Sequence, residues 1–286
     1  MNSESRVRWG HALGWPPKFL ERDPDELVAR ILFVAHYGLH SLHVGLDQLA
    51  GLEGERRRRV RELLEEHRIA LVAAPRIGFF KQDEAATRRR VEEILPLIAS
   101  LKDVFGISLI HLGAGPVHRF MADPSLPEQM DRLASGIAPL ALGCHELGLR
   151  TAIENHGDYY VSDLVGLCRR VPHLGLFLDT GNCFLCGEKP LEAARDGAPF
   201  LFGGHFKDQK VRPRPEAKPL HFEVANSGLG EGHVPLREIY EVIVRNAPPG
   251  PPIELQIETF PQPWDDPIPE WERSVAFIRS LGSAEA

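Results

Sequence analysis

Cysteine is scarce in this 286-residue chain: four residues, Cys144, Cys168, Cys183 and Cys186. So few cannot make the dense disulfide framework of a small secreted domain, and reduced thiols are expected. Cys183 and Cys186 have the CxxC spacing, yet a zinc ribbon needs a second such pair and the chain has none. Packing or loop positions are therefore expected for all four. Basic excess is missing as well, with 33 Lys and Arg against 40 Asp and Glu and a net charge of −7 with His neutral. That balance repels polyanions, which excludes a general nucleic-acid or anionic-membrane surface. No apolar run reaches the length of a membrane span. The opening "MNSESRVRWGHALGW" has neither a basic start ahead of an apolar core nor a small-residue cleavage site, so a cytoplasmic location is the expectation. A GxGxxG turn is absent after the first strand-like run, where a doubly wound dinucleotide-binding sheet would carry one.

What the chain does have is one unit repeated along its length: a short apolar or β-branched run, a polar turn, then a longer stretch with helical apolar spacing. The runs are "RVRWGHA", "HSLHVG", "IALVAA", "ISLIHLG", "LRTAIENH", "LGLFLDT", "FLFGGHF" and "IELQIETF". Helical patterns such as "DELVARILFVAHYG", "GERRRRVRELLEEHR", "ATRRRVEEILPLIASLKDVFG" and "LPEQMDRLASGIAPLALGCHELG" lie between them. Several close on a glycine just before the next strand, at Gly38, Gly106 and Gly148, as a left-handed residue after a helix end requires. Eight strand and helix pairs predict an α/β fold, a (β/α)8 TIM barrel of typically ~250 residues, here one domain over residues 1–286. Arg56 to Arg59 and Arg61 share their helix with Glu53, Glu55, Glu62, Glu65 and Glu66, which reads as a solvated, ion-paired face.

A barrel of this kind carries its active site at the C-terminal ends of its strands. The fifth run ends in Glu154 and His156, the sixth in Asp179, the seventh in His205 and Lys207, and the eighth in Glu258. The successive spacings Glu154 to Asp179, Asp179 to His205 and His205 to Glu258 are 25, 26 and 53 residues, the last lengthened by a loop expected from about Gln209 to Gly232. Side chains alternate along a strand, so Glu154 and His156 share one face, as do His205 and Lys207. Three carboxylates on one rim repel each other unless a cation neutralises them. Three carboxylates and one neutral imidazole are a mostly hard donor set, suited to Mn²⁺ or Mg²⁺, with Co²⁺ and Zn²⁺ as alternatives. Octahedral geometry leaves two positions for substrate oxygens, a demand that vicinal oxygens of a sugar or keto-polyol meet.

The segments "IENH", "LDTGN", "GHFKD" and "QIETF" resemble the four metal-binding strand ends of the xylose isomerase-like TIM barrels, the sugar phosphate isomerase/epimerase family, most strongly from Leu149 to Phe260. The resemblance implies one divalent metal held by Glu154, Asp179, His205 and Glu258. It also implies that Glu154 and Glu258 act as acid and base on opposite faces of the substrate carbon, and that the substrate is a small carbohydrate. A homodimer or tetramer is implied by the same likeness. His43, His111, His156, Asn182 and Lys207 are candidate substrate contacts. His43 stands where related epimerases commonly carry an acidic residue, and Asn182 where some relatives have histidine. Lys207 is a candidate for binding a substrate carboxylate, with a salt bridge to Asp208 or Asp179 as the structural alternative.

Proton abstraction beside a carbonyl, with the developing charge stabilised electrostatically, leads to isomerisation or epimerisation. The same site chemistry serves a lyase: a dehydratase, a decarboxylase or a β-eliminase of 3-keto-glycosides. An apurinic endonuclease is disfavoured by Asn182, by the acidic balance and by the lack of a DxH pair between residues 207 and 233. A non-catalytic sugar-binding barrel has no need of both glutamates. The basic residues Lys210, Arg212, Arg214 and Lys218 are expected in solvent, and "GLGEGHVP" is expected to turn into the following helix, with a phosphate site there as an alternative.

Overall fold

The computed structural model describes residues 6–12, 23–81, 83–214, 221–259 and 266–282. Lys218, Phe260 and residues 1–5 of the opening stretch lie outside the described residues. The strands are β1 (Val7–His11), β2 (Ser41–Gly45), β3 (Ala70–Ala74), β4 (Ile107–Gly113), β5 (Arg150–Glu154), β6 (Leu174–Asp179), β7 (Leu201–Phe206), β8 (Asp208–Pro213), β9 (Phe222–Ser227) and β10 (Ile253–Ile257). The helices are α1 (Glu26–His36), α2 (Leu46–Ala50), α3 (Gly54–Glu66), α4 (Glu84–Phe105), α5 (Leu126–Glu146), α6 (Val161–Arg170), α7 (Thr180–Leu185), α8 (Pro190–Gly197), α9 (Leu236–Asn246) and α10 (Pro267–Gly282). Eight strands close into a parallel barrel in the order β1-β10-β7-β6-β5-β4-β3-β2, with helices between them, which is the (β/α)8 architecture. Pairing of Val7 with Ile253 through His11 with Ile257 makes the closure. Among the described residues no helix is long and apolar enough to cross a membrane.

Local chemistry sets the element ends. Asp25 and Asp83 cap α1 and α4 by accepting backbone N–H groups of the first turn, and Ser125 forms a capping box with Glu128 at α5. Gly106 ends α4 with φ of 65°, a left-handed conformation that costs a side-chain-bearing residue energy. The arginines of α3 face solvent and pair with Asp25, Asp23 and Glu55, as the charge pattern predicts. All four cysteines are free, and only Cys186 is not buried.

Packing divides the barrel interior into layers. Val72, Leu109, Ala152 and Phe177 form a separate buried cluster inside the barrel. Phe177, Ala152 and Leu109 each lie two residues before a polar strand-end residue: Asp179, Glu154 and His111. Alternation along the strand therefore lifts those polar groups one layer above an apolar floor. The outer core, between barrel and helices, is a larger apolar cluster running from Val7 to Leu281.

The segment after β7 differs from the expected loop. Residues 208–213 and 222–227 pair as an antiparallel hairpin, with Asp208 opposite Ser227 and Pro213 opposite Phe222. Val211, Phe222 and Val224 have strand propensity, which the abundance of charge and proline around them hides from a pattern reading. Asp208 organises the return. Its carboxylate accepts N–H groups from Gln209 (2.9 Å), Gly230 (3.0 Å), Gly232 (2.9 Å) and Val234 (3.1 Å). The turn expected at "GLGEGHVP" is there, but its donors are spent on Asp208, so the phosphate alternative has no free amides at Gly230, Gly232 or Val234. Asp208→Ala leaves these amides without a buried acceptor, and a loss of about 2–4 kcal/mol of stability is expected, on the scale of hydrogen bonds to a charged group. Denaturant unfolding checks it, and an unchanged midpoint would remove Asp208 as the organiser of this loop.

Candidate metal centre

Asp179 and His205 sit opposite each other in the register of β6 and β7, and Glu154 lies one strand further round at the end of β5. Glu258 follows β10, where its N–H donates to the carbonyl of Phe206. Glu154, Asp179, His205 and Glu258 are respectively 1%, 0%, 2% and 4% exposed, so the charges stand in a water-poor setting that strengthens every interaction among them. His205 Nδ1 faces all three carboxylates: Glu154 Oε1 at 2.8 Å, Glu258 Oε2 at 3.6 Å and Asp179 Oδ2 at 3.9 Å. Its Nε2 is buried without a hydrogen-bond partner among the described residues, and the ring is oriented through Nδ1 and by edge-on packing against Phe177, 4.8 Å away between centroids.

The remaining expected residues surround this group. Lys207 Nζ is 2.9 Å from Glu258 Oε2 and 3.5 Å from Asp179 Oδ2, so of the two expected salt-bridge partners it meets Asp179 and, in place of Asp208, Glu258. Glu154 Oε2 meets His111 Nε2 at 2.7 Å and His156 Nε2 at 2.6 Å. His43 Nε2 lies 3.1 Å from His111 Nδ1. Asn182 is turned toward the protein: its Nδ2 donates to the carbonyl of Asn155 at 2.9 Å, its Oδ1 is 3.5 Å from Lys207 Nζ, and its backbone N–H donates to Asp179 Oδ1 at 2.8 Å.

The electrostatics reflect this crowding. Burial, then the neighbouring charges of Glu258 and Glu154, push Asp179 up to about 7 against the opposing pull of Lys207. Burial disfavours the charged imidazole of His205, but Glu154 and Glu258 outweigh it and hold the ring protonated up to about 9. Burial would also raise Glu154; His205 and His111 instead keep it well below the usual carboxylate range. Without a cation the cluster thus gathers protons, the behaviour of a donor set short of positive charge. Three oxygen donors and one imidazole nitrogen, with Glu154, Asp179 and His205 atoms all within 4.8 Å of one another, fit a divalent ion.

Asn155, to which the sequence assigns no role, positions Asp179. Its side chain bridges two strands, accepting the N–H of Asp179 at 2.8 Å and donating to the carbonyl of Asp179 at 3.0 Å. A polar residue at the outward, apolar position between Glu154 and His156 was the available signal.

The chain belongs to the xylose isomerase-like TIM-barrel family, whose signature matches residues 31–281. Within that class it superposes on a xylose isomerase-like TIM-barrel protein from Mycobacterium smegmatis in complex with magnesium, at 17% identity over 100% of both chains and a TM-score of 0.72. The 3-keto-D-glucoside 4-epimerase of E. coli is similar at 12% identity over 96% of this chain and 99% of that one, with a TM-score of 0.70. The probable 3-DHS dehydratase of Bacillus anthracis is similar at 15% identity over 95% of this chain and 99% of that one, with a TM-score of 0.67. At these identities the likeness is one of fold. No curated protein matches the chain.

Metal loading is expected to displace protons. Below about 7 both Asp179 and His205 hold theirs; at pH 8 Asp179 has largely lost its proton while His205 keeps its own, so binding releases about one proton, and affinity rises as pH approaches 9. Calorimetry in two buffers of different ionisation enthalpy reads the number directly. A value near zero at pH 8 would contradict a protonated His205. Asn155→Ala is expected to weaken metal binding by about 10–100-fold with the fold intact, as loss of a group that orients a ligand does. Unchanged affinity in the same titration would leave Asp179 positioned without its clamp.

Proposed function

We propose that this protein is a divalent-metal-dependent isomerase or epimerase of a keto-sugar, keto-polyol or related carbohydrate. The observation that carries the reading is the placement of two glutamates, Glu154 and Glu258, from different strands of one buried site, both facing the same His205 nitrogen. Glu154, Asp179, His205 and Glu258 are the residues that would hold the ion, Mn²⁺ by preference or Mg²⁺, as in the magnesium complex of the mycobacterial relative. The ion supplies Lewis acidity, which lowers the cost of negative charge on substrate oxygens.

The chain's own groups divide the proton work. Glu258 is pulled below the usual carboxylate range, with His205 and Lys207 outweighing burial, so it is ionised and able to accept a proton from the carbon beside the carbonyl. Glu154 is held on one oxygen by His205 and on the other by His111 and His156, which fixes its orientation; being ionised, it would return a proton from another direction by relay from His156, whose protonated ring it favours against the opposing effect of burial. Lys207, 2.9 Å from Glu258, keeps positive charge beside the carbon where an enediolate would form. His43, His111 and His156 are assigned to substrate hydroxyls and Lys207 to a substrate carboxylate, while Asn182, also a candidate substrate contact, is engaged with Asn155 and Asp179; His156, with its side chain 46% exposed, faces the open side.

A lyase is the second reading, favoured by the ammonium of Lys207 beside Glu258: a proton donor next to a base suits expulsion of a hydroxyl or glycosyl group. A dehydratase also stands among the structural relatives. Turnover in D₂O with ketoses, keto-inositols and 3-keto-glycosides separates the two. The isomerase reading expects deuterium at the carbon beside the carbonyl and otherwise unchanged mass, whereas a lyase loses water, CO₂ or an aglycone. Glu154→Gln and Glu258→Gln are each expected to lower kcat by at least ~10²-fold. Parent-rate turnover by either variant with its metal bound would overturn the two-glutamate mechanism.

A further inference from the structure

The barrel interior is apolar on one side and polar on the other. Val72, Leu109, Ala152 and Phe177 fill the half lined by β3 to β6. In the other half, Ile253, Leu255 and Ile257 of β10 belong to the outer core, so alternation along the strand turns Glu254 and Gln256 inward. Leu42 and Val44 of β2 and Phe206 of β7 belong to the outer core as well, which turns Ser41, His43 and His205 inward. His205 Nε2 and Gln256 Oε1 are both buried without a hydrogen-bond partner among the described residues, as is Glu254 Oε2 further down β10. His205 and Gln256 stand opposite each other in the register of β7 and β10. One orphan is an imidazole nitrogen that can donate, the other a carbonyl oxygen that accepts. We infer that Gln256 is the positioning residue of His205: its Oε1 accepts the ring Nε2–H through one buried water and so leaves the Nδ1 lone pair to an ion.

The amide of Gln256 is preset for this. Its Nε2 donates to Ser41 Oγ at 3.1 Å, which leaves Oε1 as the end available to the histidine. To reach Ser41 the side chain crosses β1, where Gly10 is in register with Gln256 on one side and with Ser41 on the other. A Cβ at Gly10 would stand 2.3 Å from the Ser41 carbonyl oxygen, so only a residue without a side chain lets the strands approach closely enough for the amide to span them. One ordered water is the ordinary link between two buried polar groups that do not touch.

The reason for such a link lies in the chemistry of the ring. His205 turns Nδ1 toward Glu154, Asp179 and Glu258, and an imidazole that ligates through Nδ1 carries its proton on Nε2. An acceptor at Nε2 holds that tautomer and the ring angle together. The inference rests on the proposed metal centre, and space-filling is the rival account of Gln256. The two predict opposite orders for two substitutions. Methionine matches glutamine in length and flexibility but has no amide, so packing alone makes Gln256→Met benign and Gln256→Glu, a buried carboxylate, harmful. Positioning favours Gln256→Glu, which keeps the accepting oxygen, over Gln256→Met, which loses it.

Metal-stripped protein titrated with Mn²⁺ is expected to bind about 10–100-fold more weakly as Gln256→Met, and Gln256→Glu is expected to bind more tightly than Gln256→Met. Equal affinity in the parent and Gln256→Met, or a weaker Gln256→Glu than Gln256→Met, overturns the inference. Should Gln256→Glu fail to fold by circular dichroism, nuclear magnetic resonance of the ¹⁵N-histidine-labelled, Zn²⁺-loaded parent and Gln256→Met decides the matter. The parent is expected to show a slowly exchanging Nε2–H on His205 that Gln256→Met loses, and the same resonance in both overturns the inference. A parent that binds no Mn²⁺ removes the metal centre and this inference with it. A parent that binds Mn²⁺ beside an unaffected Gln256→Met removes the inference alone.

Discussion

Three buried carboxylates at one end of a barrel are the constraint on which the rest of the site depends. Glu154, Asp179 and Glu258 are almost wholly removed from water, and mutual repulsion in that setting is severe. Every neighbouring feature acts to contain it. His205 holds a proton among them, Lys207 places its ammonium between Asp179 and Glu258, and the α7 amide at Asn182 donates to Asp179. A fold does not retain such a cluster for stability, since apolar residues would pack there at lower cost.

The barrel is what makes the cluster geometrically attainable. Parallel strands with a side-chain period of two deliver every second residue to the interior, so polar strand ends from β5, β6, β7 and the residue after β10 meet above the Phe177 layer. That layer also serves the imidazoles: Phe177 packs 4.6 Å from His111 and 4.8 Å from His205 between centroids, helping to fix both rings. Behind the mouth, Asn155 ties β5 to β6 and Arg30 donates to the carbonyl of His43 at 2.6 Å, tying α1 to the end of β2. The clustered side chains are thus held by neighbouring strands and helices.

Relatives of the same fold include an epimerase and a dehydratase, and the difference between them lies beyond the fold. A reaction that begins by removing a proton next to a carbonyl can end as an epimerisation or as a dehydration. The product then depends on which group stands ready to return a proton or to help another depart. In this chain Lys207 stands 2.9 Å from Glu258, and Glu154 and Glu258 both face His205 Nδ1.

The order of strands and helices was legible in the sequence, because burial on both faces of a parallel strand and on one face of a helix imposes periods that survive in a single chain. Gly38, Gly106 and Gly148 marked helix ends for an equally local reason, with φ of 66°, 65° and 75°. The four strand-end residues were also legible, since they interrupt apolar runs at the places where a barrel opens. Local pattern could not supply the β8–β9 hairpin, whose pairing joins residues from Asp208 to Ser227 across a charged, proline-rich stretch, nor the capture of the "GLGEGHVP" amides by Asp208. Nor could it show that Asn155 clamps Asp179, that Lys207 turns to Glu258 rather than Asp208, or that Glu154 offers one oxygen to His205 and the other to His111 and His156. Those are contacts between strands 24 to 51 residues apart in the chain. Only closure of the barrel decides which side chains share a charge, because it alone sets their distances.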